Sequence, residues 1–309
     1  MPVWPAGAPS MSYRFKRRES VEDGVRRILR EQARASLSSL TDDQLPDADR
    51  IHGARQCCKR ARGLLRLVQH SLGGEFDRVN HAWRDAARLL SDRRDADVAI
   101  RTFASIMGRV SGEEAERFRE ILAGLERNRL RLCEDLAGSL RTIEAFSTAI
   151  RAIDKRIDEI ELEDEGFEAL EGGFRRAYAG SHKWMTKAYA DGSPASVHRW
   201  RKVVKQHWYH VRLLTPVWPR VLAPMSKALD ELGEGLGQAH DQTVLRALLE
   251  ADPERFGGPE ITGQFVVRLE VQWMTTFVAT RRIASRLFDE QPAMLVKRFH
   301  ACWNAWRSE

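Results

Sequence analysis

The sequence predicts an all-α protein, and three observations predict it. Apolar residues recur along almost the whole chain at the spacing of one helical face. No convincing stretch alternates apolar and polar residues as a strand would. One stretch also occurs twice. Ile51-His52-x-x-Arg55-Gln56-x-x-Lys59 and Val197-His198-x-x-Arg201-Lys202-x-x-Lys205 share one pattern, and Arg66-Leu67 and Arg212-Leu213 follow them at equal distance. His52 and His198 stand 146 residues apart, and the same register sets Asp95 opposite Asp241 and Val98 opposite Val244. Such a repeat fixes architecture before any local assignment. It predicts two related helical halves, about 18–160 and about 166–307, each with roughly four main helices.

The elements follow in order. The first ten residues carry three prolines and neither the basic nor the apolar region of a signal peptide. Residues 1–17 are expected to be a poorly ordered tail, with the true start at Met1 or Met11. Ser20-Val21-Glu22-Asp23 resembles a capping box with Asp in place of Glu. Val25, Ile28, Leu29, Ala33, Leu37 and Leu40 then line one face. Thr41–Asp49, with Pro46, is a loop. The first repeat stretch runs as a helix to about His70, where Gly73-Gly74 stops it. A helix over Phe76–Leu90 breaks at Ser91-Asp92, and another runs over Asp95–Met107. A long charged helical region spans about 113–160, with a bend expected near Gly138-Ser139.

The acidic run Glu159–Glu165 with Gly166 marks the boundary between halves. A helix over about Phe167–Ala190 leads into the loop Asp191–Pro194 and the second repeat stretch, with Pro194 at a helix start where proline is tolerated. Thr215–Pro219 is a turn. The last helices are expected over roughly 221–236, 239–250, 260–288 and 291–307, separated by glycine or proline breaks.

The chain has 309 residues, 30% of them charged, and a formal net charge of +6. No run approaches the ~18 apolar residues that span a membrane. The four cysteines form no C-x-x-C and read as reduced thiols of a cytoplasmic protein. No cofactor or metal site is expected. Charge is segregated. Residues 50–66 hold six Lys/Arg and no acid; residues 198–212 hold five Lys/Arg, three His and no acid; residues 154–168 hold eight acids against two bases. Two acid-free basic blocks at the two copies of one repeat favour an anionic partner.

On a helix, His52, Arg55, Lys59, Arg62 and Arg66 step by three and four and share a face. His198, Arg201, Lys205 and Arg212 match them, with Trp208 in place of Arg62. Lys202 and Tyr209 lie on a neighbouring stripe. Like charges in a row repel by a few tenths of a kcal/mol per pair. A solvated basic face is one reading, weakened by the absence of acids. A surface for phosphate oxygens is the other, because Arg offers a planar fork and Lys a point charge. Each His is either a ligand with pH-dependent charge or a core residue bonded to backbone.

These residues resemble the CHAD family, the conserved histidine α-helical domain. Val197–Pro219 followed by Leu236-Gly237-Gln238-Ala239-His240-Asp241 carries the resemblance most clearly. Arg26–Gln32, Ile51-His52-x-x-Arg55 and Arg93–Val98 add to it. The resemblance implies two four-helix bundles related by pseudo-twofold symmetry, with a basic central channel or groove between them. It also implies binding of inorganic polyphosphate and, in some members, association with polyphosphate granules. The implied ligands are His52, Arg55, Lys59, Arg62, Arg66, His198, Arg201, Lys202, Lys205 and Arg212, with Tyr209 as a hydroxyl donor. Arg30 and Arg176, paired by the register, are second-rank candidates. Gln56 opposite Lys202, and Trp208 opposite Arg62, depart from strict symmetry.

Asp95 and Asp241 read as structural acids, either helix N-caps or carboxylates that orient a basic side chain. Two rival functions remain. Nucleic acid suits the charge, and nine Trp could stack on bases, although Trp83, Trp273 and Trp303 sit where helices need core anchors. A phosphohydrolase is the other. Related chains can carry a triphosphate-hydrolysing domain with an E-x-E-x-K strand, but Glu159-Ile160-Glu161-Leu162-Glu163 lacks the Lys. No P-loop, H-E-x-x-H or G-x-S-x-G is present.

Overall fold

The computed structural model describes residues 13–90, 92–108, 112–133 and 136–309. Among these residues every regular element is a helix and there is no strand. Twelve α-helices follow in order: α1 Val21–Leu40, α2 Asp47–Leu67, α3 Glu75–Leu89, α4 Asp92–Met107, α5 Gly112–Arg117, α6 Arg119–Cys133, α7 Leu136–Asp154, α8 Glu168–Asp191, α9 Pro194–Leu214, α10 Pro219–Ala251, α11 Pro259–Leu287 and α12 Pro292–Ser308. Among the described residues no helix is long and apolar enough to cross a membrane.

Local chemistry sets the helix ends. Ser20 caps α1, its Oγ accepting from the Asp23 amide at 3.0 Å. Ser193 caps α9 in the same way, with Pro194 at the first helical position. Gly192 closes α8 in the left-handed region, at φ 58°. The acidic link is tied down rather than loose. The Glu163 and Asp164 amides donate to the Ser71 carbonyl and hydroxyl, and the Leu162 amide donates to Glu22.

Helices α2 and α9, which carry the two repeat copies, each pack between neighbouring helices. Helices α1, α2, α3 and α7 pack in a closed cycle, while α9 lies between α8 and α10, α11 packs on α10 and α12 on α8. The halves expected over about 18–160 and 166–307 do not keep separate cores. Ala99 and Phe103 of α4 and Ile121 and Leu125 of α6 share an apolar cluster with Leu245 and Leu249 of α10 and Phe265 and Leu269 of α11. The tail expected over residues 1–17 also differs where it is described. Tyr13 and Phe15 are buried, and Phe15 packs edge-on against Trp303 and donates its amide to the Leu213 carbonyl. Residues 1–12 lie outside the described residues.

Two helix boundaries differ from expectation. Gly138-Ser139 lies within α7, and the helices of the long charged region meet at Arg117 and Arg119 and at Cys133 and Leu136, with residues 134 and 135 outside the described residues. The glycines Gly233, Gly235 and Gly237 do not break the chain either, and α10 runs through them for 33 residues. A glycine inside a helix costs about 1 kcal/mol relative to alanine, so their presence needs a reason. A Cβ on Gly233 would stand 2.8 Å from Lys205 Cε, and one on Gly237 would stand 3.4 Å from Arg201 Nε. The glycines clear space for two of the basic side chains of α9.

A candidate anion-binding site

Helices α2 and α9, which carry the two repeat copies, cross in direct contact. The contact point is Gly63, where a Cβ would stand 2.8 Å from Tyr209 Cβ. Tyr209 is the counterpart of Gly63 in the repeat register. Beside it, His210 Nε2 lies 3.1 Å from the Gly63 carbonyl and donates to it. Burial, with smaller contributions from His207 and Arg66, pushes the His210 ring well below its usual pKa. His207 is fully buried among Phe174, Tyr178 and Phe288, and burial pushes its pKa down to about 3. Both rings are neutral core residues.

Cations from both copies gather at the crossing. Arg60 of α2 lies near enough to Arg212 of α9 to repel it. Burial and then Arg60 lower the Arg212 pKa, against weaker support from Tyr13, Tyr209 and Asp230. The Arg212 guanidinium sits 4.9 Å from the Trp208 ring and 5.6 Å from the Tyr13 ring. The Lys205 ammonium sits 4.2 Å from the centre of the same Trp208 ring and donates to Asp230 at 2.8 Å. Trp208 therefore replaces the charge of Arg62 with a platform for two cations. Tyr209 is buried, packs edge-on against Tyr13, and has its pKa pushed up to about 12, mainly by burial. It forms the floor of the crossing as a neutral phenol.

The first stripe lies against α3. Arg55 donates to the Ala87 carbonyl at 2.8 Å, and Arg62 Nε donates to Asn80 at 3.1 Å. Arg62 has its pKa lowered to about 10 by burial and then by Arg66 and Arg84. Burial also lowers that of Arg66. Both stay charged at neutral pH. His52 stands 3.1 Å from the Gln56 amide nitrogen, and Lys59 is half-buried. Gln56 thus serves a histidine where the second copy places the exposed Lys202.

The second stripe lies against α10. The His198 ring stacks on the His240 ring at 4.4 Å, and His240 Nδ1 lies 3.2 Å from Asp241. Burial, then His240 and the nearby cations Lys202 and Arg201, push His198 down to about 4. Arg201 passes over Gly237.

The structure brings His52, Arg55, Lys59, Arg62 and Arg66 together on α2, and His198, Arg201, Lys202, Lys205, Tyr209 and Arg212 on α9. It does not bring Arg30 and Arg176 into this group. Arg30 pairs with Asp158 at 2.6 Å, and Arg176 is exposed on α8. Neither shared acid is an N-cap. Asp95 is exposed inside the first turn of α4, and Asp241 lies within the continuous α10, where it partners His240. Sequence reasoning passed over Arg60, Tyr13, Asn80, Asp230 and His240 as site residues. Among the described residues no group of three or more His, Cys, Asp or Glu could hold a metal ion.

The family model for the CHAD domain matches residues 25–250. A crystal structure of the CHAD domain from the plant Ricinus communis is similar at a TM-score of 0.61 and 17% identity, covering 94% of this chain and 99% of that one. PptA from Streptomyces chartreusis is similar at a TM-score of 0.58 and 16% identity, covering 88% and 100%. At such identities the likeness carries the fold alone. A search of curated proteins finds no match. With the family model matching well over half of its length, the chain belongs to the CHAD family.

Proposed function

We propose that this protein binds inorganic polyphosphate, without transforming it, in a basic groove between two pseudo-symmetric helical halves. The bound chain runs along the stripes of α2 and α9. The observation that carries the reading is the crossing at Gly63 and Tyr209. There, residues from two copies of one repeat hold Arg60 and Arg212 within mutual repulsion, with Lys205 alongside. Like charges held together by a fold are relieved by an anion, and each charge-assisted hydrogen bond contributes about 1.5–3 kcal/mol. A polymer of identical anionic units suits a site whose two arms repeat one pattern. Contact at equivalent positions is what a twofold relation between halves produces. Association with polyphosphate granules in the cytoplasm follows as part of the same proposal.

The nucleic-acid reading loses the stacking faces of Trp83, Trp200, Trp303 and Trp306, which are buried, and keeps those of the exposed Trp218 and of the partly buried Trp184, Trp208 and Trp273. Titration with a labelled polyphosphate at rising salt tests the proposal. Lys59→Gln, Arg62→Gln, Arg201→Gln and Lys205→Gln together are expected to abolish salt-sensitive binding in a chain that still melts cooperatively. Undiminished binding by that variant sinks the reading. Competition at matched salt separates the rivals, because stronger displacement by single- or double-stranded nucleic acid would reverse the ranking. Release of orthophosphate from polyphosphate with Mg²⁺ or Mn²⁺ would replace binding with hydrolysis.

A further inference from the structure

We infer that the protein forms a reversible homodimer through the outer face of α11, with the two α11 helices antiparallel. Helix α11 is apolar on two opposite faces. Its inner face buries Phe265, Leu269, Phe277 and Ala284. Its outer face leaves Val267, Val271, Met274 and Val278 between 53% and 65% exposed. These four residues step by four, three and four, the seam of a two-stranded coiled coil. Single exposed apolar residues are ordinary, but four in register on one helix form a contiguous apolar strip. A helix apolar on both sides is one that is covered on both sides.

Charge selects the occupant and its direction. Residues 259–267 carry one acid, Glu260, and no base, whereas residues 279–287 carry Arg281, Arg282 and Arg286 and no acid. A parallel copy would set the arginines against each other. An antiparallel copy sets Glu260 within a turn of the partner helix's basic end and stacks the four apolar residues on themselves. That arrangement is isologous and closes as a twofold dimer. The seam from Val267 to Val278 is only about 16 Å long at 1.5 Å per residue. An interface of that size is transient rather than permanent.

Sedimentation velocity on the full chain tests this. The mass is expected to rise from 35.3 kDa toward twice that value as concentration climbs from ~1 to ~100 μM, the range in which small interfaces associate. Val271→Glu with Met274→Glu is expected to hold the protein monomeric throughout with an unchanged circular dichroism spectrum. Glu260→Arg alone is expected to weaken the dimer, and Glu260→Arg with Arg282→Glu to restore it. A wild-type chain that stays monomeric, a dimer that survives the double Glu variant, or binding of the monomer to anionic vesicles through this face in place of dimerisation would each overturn the inference.

Discussion

His207 has the least to gain from being a histidine. It is fully buried, both ring nitrogens lack a hydrogen-bond partner among the described residues, and aromatic rings surround it. A buried polar group without hydrogen bonds costs free energy that an apolar group of similar size does not. We predict that His207→Leu leaves the melting temperature at pH 7 unchanged or raised. The sign with pH follows from the depressed values. Unfolded histidines take up a proton near their ordinary 6.5, whereas folded His198 does so only near 4 and His207 near 3. Between those values the unfolded chain binds more protons, so stability is full above about 6.5 and falls as pH drops. Melts from pH 7 to pH 4 are expected to show that fall, with a shallower slope in His207→Leu. At this scale the basic stripes are legible in the sequence, because like charges at helical spacing with no intervening acid are visible without coordinates. The partners are not. Asn80, Asp230, His240 and Tyr13 reach the stripes from α3, α10 and the tail, and no spacing along the chain encodes such meetings. The two readings of the histidines also divide here, since His207 and His210 turn inward from the same helix that points His198 toward α10.

Helix α10 shows how an element can be misread and why. Three glycines in five residues spell a stop by propensity alone. The helix continues because those positions face α9 and α11, and two of them stand over Lys205 and Arg201. Tertiary clearance outweighs the local penalty. Gly233→Ala with Gly237→Ala is therefore predicted to shift stability by no more than ~1 kcal/mol, as the gain in helix propensity offsets the crowding of flexible side-chain ends. The same pair is predicted to weaken polyphosphate binding several-fold by displacing Lys205 and Arg201, which a fluorescence titration would read beside a thermal melt. If stability instead collapses, the glycines serve the backbone and not the cations. Helix starts are easier to read. Ser20 caps α1 and Pro194 opens α9 as their sequence context demands, although the Ser193 cap is visible only in the structure. The end of α2 comes at Leu67, ahead of the Gly73-Gly74 pair.

The whole molecule is less divisible than its repeat suggests. All-α architecture and the duplication are legible, because periodicity and self-similarity are properties of the string. The sharing of cores is not, because Phe103 and Phe265 are alike core residues in the sequence whichever half they serve. A chain beginning at Gly166 would expose Leu245, Leu249, Phe256, Phe265 and Leu269, which lose α4 and α6 as partners. We predict that this half alone shows no cooperative melt and binds a hydrophobic dye, while the full chain melts in one transition. Salt acts on the molecule as a unit too. Polyphosphate affinity is predicted to fall log-linearly with salt, and steeply, through counterion release from many contacts at once. The crossing carries a further consequence, for which substitutions the chain tolerates. A Cβ at position 63 would stand 2.8 Å from Tyr209 Cβ, so any side chain at Gly63 must shift Tyr209 or part α2 from α9. The room that Tyr209 occupies is made on the other helix, and a change at Gly63 is felt through Tyr209.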